Sequence, residues 1–91
     1  MGLVQSIAMP GTEHIRQAVE RQLKQQLSEL PAPDENWINA GLDSLEVIEV
    51  LLKLETAFEQ EIPVGDFADE PTTDRVVAFL VQHMQKRSGG I

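Results

Sequence analysis

The sequence predicts an all-α fold, a four-helix bundle with a long loop between helices 1 and 2 and a short third helix. Three observations carry that prediction. Apolar residues recur three and four apart in separate segments, no stretch alternates polar and apolar long enough for a strand, and prolines fall between the main apolar stripes. A chain of 91 residues has room for one core and one domain.

Residues 1–11 lack a sustained period and end in Pro10-Gly11, which predicts a flexible lead-in. Thr12 can cap the first helix. Ile15, Val19, Leu23, Leu27 and Leu30 then form one stripe, and Pro31 ends it. Pro31 to Asn36 is a loop by composition, with Trp37 and Ile38 expected to pin it onto the core. Gly41 allows a tight turn.

The second helix is expected to open at Asp43, which stands in a capping-box arrangement with Glu46 and puts Ser44 in the first turn. It should run to about Gln60 and stop before Pro63. Val64 to Ala68 reads as a short third helix or an irregular turn. Pro71 and Thr72 introduce a last helix with Val76, Val77, Leu80 and Met84 on one face, fraying at Ser88-Gly89-Gly90. The expected division is therefore a lead-in at 1–11, a folded domain at 12–86 and a flexible C-terminus at 87–91.

Fifteen acidic against seven basic residues give a net charge of -8. Such a chain repels phosphate backbones and anionic lipid, so neither nucleic acid nor a membrane surface is an expected partner. Basic patches on other proteins are, although acidic charge also serves solubility alone. The chain has no cysteine. That removes disulfides and thiolate metal sites, and fits a reducing, cytoplasmic setting. No run reaches the roughly 18 apolar residues of a membrane span. Residues 1–10 lack the basic start of a signal peptide. Met1-Gly2 with Ser6 satisfies only the loose N-myristoylation pattern.

Placed at about 100° per residue, the second helix divides into three sectors. Val47, Leu51, Leu54 and Phe58 make a core face, and Glu46, Glu49, Lys53, Thr56 and Gln60 a solvated one. Between them lie Leu45, Ile48 and Leu52, bordered by Glu49, Glu55 and Glu59. An apolar strip edged with carboxylates suits transient docking to a basic partner. A neighbouring loop covering the same three side chains is the plainer alternative.

The run Trp37-Ile38-Asn39-Ala40-Gly41-Leu42-Asp43-Ser44-Leu45 resembles the attachment motif of the acyl and peptidyl carrier proteins. Glu49, Leu54, Glu55, Phe58, Ile62 and Pro63 also fall at that family's spacings, and Thr72-Thr73 before an apolar helix fits its final element. The likeness covers residues 12 to 86. Asn39 departs from it, standing where many members carry an acidic residue, and the loop before Trp37 is shorter than in the fatty-acid-synthase type.

The resemblance implies a non-catalytic, monomeric carrier with 4′-phosphopantetheine, derived from coenzyme A, on Ser44; the initiating methionine and frayed end suggest a free-standing one, with an excised domain as the alternative. Asp43 would help present Ser44, Gly41 would turn the chain before it, and Leu45, Ile48, Glu49, Leu52 and Glu55 would meet partners. Those partners would be a phosphopantetheinyl transferase, a loading ligase and downstream synthase or transferase enzymes. Fatty acyl, polyketide and aminoacyl cargo, D-alanyl included, share this pattern.

Physical chemistry supports the same serine independently. A first-turn hydroxyl lies beside unpaired backbone N–H groups and the positive end of the helix dipole, where a phosphodiester is electrostatically favoured. A serine hydrolase would need a base, and His14 and His83 stand in no recognisable motif. Nor do they have the companions of a zinc site, so no metal is expected. An acidic helical interaction module that leaves Ser44 bare is the remaining alternative.

Overall fold

The computed structural model describes residues 11–89, with side chains through Met84. It contains four helices: α1 (Thr12–Lys24), α2 (Ser44–Phe58), α3 (Val64–Ala68) and α4 (Thr73–Gly89). No strand occurs among the described residues, so the all-α expectation holds. α1 packs against both α2 and α4, and α3 packs on α2.

Each helix buries the stripe its sequence spacing dictates. Ile15, Val19 and Leu23 come from α1; Val47, Val50, Leu51 and Leu54 from α2; and Val76, Val77 and Leu80 from α4. Phe67 of α3 and the loop residues Trp37, Leu42 and Ile62 complete the core, with Leu27, Phe58 and Met84 packed at its edge. Val50 is the core member that the three-sector reading of α2 left unplaced.

α1 departs from its expected bounds at both ends. Gly11, not Thr12, is its N-cap, with no side-chain cap. At the other end the helix stops at Lys24 instead of continuing to Pro31. Gln25 and Gln26 donate to Gln22 O and Leu23 O, three residues back, which tightens and closes the last turn. Leu27 is thereby released from the stripe to pack beneath Gly41, and Leu30 is left 38% exposed.

α2 ends at Phe58, two residues short of expectation. Glu59 takes a left-handed conformation with φ 51°, and Gln60 N donates back to Glu55 O. α3 matches the expected span, Val64–Ala68. α4 opens where Thr72 Oγ1 accepts from Arg75 N at 3.1 Å, and it runs through Gly89, past residue 86. The expected lead-in, apart from Gly11, and residues 90–91 lie outside the described residues.

Candidate attachment site at the start of the second helix

The loop before α2 is tied to the start of α4. Asp74 N donates to Pro33 O at 2.9 Å and Trp37 N to Pro71 O at 2.8 Å. The Trp37 indole is wholly buried, and its Nε1–H donates to Thr73 Oγ1 at 3.2 Å. Ile38, expected to share this anchoring, is instead 40% exposed. Trp37 carries the apolar part of the anchor without it.

From Trp37 the chain winds through a compact turn. Ala40 N donates to Asn36 O and Trp37 O, Gly41 N to Ile38 O, and Leu42 N to Trp37 O. The turn requires Gly41 at φ 125°, a backbone state that only glycine occupies readily. A Cβ there would also meet Leu27 Cδ2 at 3.3 Å. Leu42 is buried directly after it, so the chain enters α2 from a point fixed in the core.

Asp43 then makes the full capping box. Its Oδ1 accepts from Glu46 N at 2.8 Å, and its own N–H donates to Glu46 Oε1 at 3.0 Å. Two of the orphan N–H groups at this helix end are thus satisfied. Those of Ser44 and Leu45 have no acceptor among the described residues. Ser44 is exposed, and its hydroxyl enters no hydrogen bond among the described residues. An anion on that hydroxyl would sit by two open donors and the positive helix end.

Neither histidine is bonded to that serine. His14 is exposed on α1. His83 is half-buried, stacked on Phe79 with ring centroids 3.9 Å apart, and its Nδ1 lies 3.0 Å from Phe79 O. No group of three or more His, Cys, Asp or Glu side chains among the described residues could hold a metal ion. No helix of the described residues is long and apolar enough to cross a membrane.

The third sector of α2 is open. Leu45 is 72% exposed and Leu52 46% exposed, with Ile48 half-buried beside them and Glu49 exposed. No loop lies over Leu45 or Leu52, which answers the covering alternative for two of the three. Glu55 has a structural bond that its sequence position did not reveal. Its Oε2 accepts from Ile62 N at 2.8 Å, half-buried, and braces the link into α3. Sequence reasoning also missed Thr73 as the indole's acceptor, since a threonine at a helix start reads first as a cap.

The site is an accessible serine at a helix start, set by a rigid turn on a small helical domain and bonded to no base among the described residues. The family model described as phosphopantetheine attachment site matches residues 13–80, and the chain belongs to that family. Acyl carrier proteins from three strains of Clostridium perfringens are each 37% identical to this chain over 46 residues. The matched segment is 50% of this chain and 60% of theirs, so the chain spans less than two thirds of those relatives. No solved structure gives a significant match.

Proposed function

We propose that this protein is an acyl carrier, holding acyl intermediates as thioesters on a 4′-phosphopantetheine arm attached to Ser44. The observation that carries the proposal is the setting of Ser44: an exposed hydroxyl in the first turn of α2, beside two unpaired N–H groups and behind a complete capping box. Membership of the phosphopantetheine-attachment family supports the same residue.

The residues fit the group. In the loading step the Ser44 hydroxyl oxygen bonds to the pantetheine-bearing phosphorus of coenzyme A. The pyrophosphate P–O bond breaks, and the adenosine bisphosphate half leaves with the electron pair. The serine proton passes to a base on the transferase, since none among the described residues is bonded to Ser44. The chain's own contribution is placement. Gly41 and Leu42 fix the entry to α2, Asp43 locks its first turn, and the free amides of Ser44 and Leu45 would hold the phosphodiester.

The arm supplies a thiol for thioester formation, while the acyl chemistry belongs to partner enzymes of lipid, polyketide or related biosynthesis. The carrier unit is residues 12–86, acting in the cytoplasm as a monomer and docking through Leu45, Ile48, Glu49, Leu52 and Glu55. An aminoacyl or peptidyl carrier uses the same residues and differs only in the loading ligase. Incubation with coenzyme A and a broad-specificity phosphopantetheinyl transferase tests the reading. Intact mass should rise by one arm in the wild type and stay unchanged in Ser44→Ala; an unmodified wild type would return the chain to the interaction-module reading.

A further inference from the structure

Seven basic residues stand against the fifteen acidic ones. Of the five whose side chains are described, Arg16 reaches Glu13 at 3.9 Å. Arg75 bonds the carbonyls of Glu70 and Asp66 and lies 5.0 Å from the Phe67 ring centroid. The other three, Arg21, Lys24 and Lys53, are all exposed and have no carboxylate partner among the described residues.

Lys53 meets the end of α1, whose last turn carries Arg21 and Lys24. Lys53 Nζ lies 3.4 Å from Gln25 Oε1, which brings the middle of α2 against the end of α1. Arg21 is four residues before Gln25 and so stands on the Lys53 side of α1, and Lys24 follows it in the same last turn. On the other side of the exposed Leu45–Leu52 ridge, Glu55 is tied to Ile62 and leads toward α3. Residues 55–70 carry six carboxylates and no lysine or arginine. The ridge thus has a wholly acidic flank toward α3, while on its α1 side Arg21, Lys24 and Lys53 stand among carboxylates that include Glu46 and Glu49.

An enzyme acting at Ser44 must cover both flanks. Lys53 is nine residues along α2 from Ser44, or about 14 Å. A standard interface takes ~800 Å² per partner, a disc of roughly 16 Å radius. Charge arranged with opposite signs across such a patch fixes orientation as well as attraction.

We propose that the Arg21–Lys24–Lys53 patch is a docking contact for carboxylates on the phosphopantetheinyl transferase, fixing how that enzyme is turned about Ser44. This rests on the carrier reading for its choice of partner. It predicts an effect opposite in sign to that of net charge. Making an acidic protein more acidic should tighten its binding to a merely basic enzyme, whereas here it should weaken it.

The test is the Kd of the apo protein for the transferase without coenzyme A, at low and at moderate salt, for wild type and for the triple variant Arg21→Glu/Lys24→Glu/Lys53→Glu. The reversal should raise Kd about tenfold at low salt, with the difference shrinking as salt rises. The neutral triple change to Gln should raise it about threefold, and it decides the matter if the reversed protein does not fold. An unchanged or lowered Kd, or no binding by the wild type, overturns the proposal. So does wild-type binding to phosphatidylglycerol vesicles that the triple reversal abolishes, which would assign the patch to a lipid surface. Intact mass after coenzyme A is added reports the carrier reading separately, so a wild type that binds but gains no arm fails that reading alone.

Discussion

The indole Nε1–H of Trp37 donates to Thr73 Oγ1, 36 residues later, and this buried 3.2 Å bond joins the loop before α2 to the first turn of α4. Around it, Trp37 N–Pro71 O and Asp74 N–Pro33 O tie the two backbones together. The position of Ser44 is therefore inherited from α4 as well as from its own helix. Thr73→Val keeps the shape but strands a buried N–H, and should cost about 1–3 kcal/mol in denaturant melts. Trp37 emission in the folded state should shift as its hydrogen bond is lost. A melt superimposable on wild type would mean that the bond contributes nothing.

Gly41 is the narrowest point of the approach to the site. Gly41→Ala combines φ 125° with a 3.3 Å contact to Leu27 Cδ2. Strain of this kind costs on the order of 1–3 kcal/mol, and relief requires the turn before Asp43 to move. The expected result is lower stability together with slower arm transfer. Unchanged values of both would show that the turn adapts freely.

Ser44→Ala should be neutral for folding. Alanine is the best helix former, the hydroxyl has no partner among the described residues, and Asp43 retains its cap. Stability within about 0.5 kcal/mol of wild type, with modification abolished, is the expected pair of measurements. Asp43→Ala is the contrast, because losing the box should cost about 0.5–2 kcal/mol.

Much of this was legible in the sequence because the relevant signals are local. Asp43 and Glu46 are three apart, so their reciprocal bonds follow from spacing alone. Val76, Val77 and Leu80 declare the inner face of α4 by period. What escaped reading depends on contacts between distant segments. The stripe of α1 continues on paper to Leu30, but Leu27 is taken by the turn at Gly41 and the helix ends at Lys24. Glu55 looks like any rim carboxylate until the chain after α2 folds back and offers it Ile62 N. Lys53 belongs to a solvated face by period, and only the packing of α1 on α2 sets it beside Gln25.

The Glu55 bond separates two carboxylates that the sequence treats alike. Glu49 is exposed, with no hydrogen bond among the described residues, so Glu49→Lys should leave the melting temperature unchanged while altering the salt dependence of arm transfer. Glu55→Lys removes the acceptor of a half-buried N–H and should cost about 1–3 kcal/mol. Equal melting temperatures for the two variants would contradict the bracing role of Glu55.

The ridge of α2 makes the sharpest comparison between packing and docking. Leu54 is fully buried, so Leu54→Ala should cost about 2–5 kcal/mol through lost burial and a residual cavity. Leu45, at 72% exposure, has few internal contacts to lose, and Leu45→Ala should stay within about 0.5 kcal/mol of wild type. Ile48 is half-buried and should fall between them. Arm transfer should follow a different order. On the proposed docking role, Leu45→Ala and Ile48→Ala should slow it markedly, whereas Leu54→Ala should slow it only as far as the protein unfolds. Denaturant melts and transferase rates on the same three variants check both orders at once. Rates that simply track stability would leave the exposed ridge without a docking role, and a Leu45→Ala protein that is stable yet poorly modified would place the partner on it.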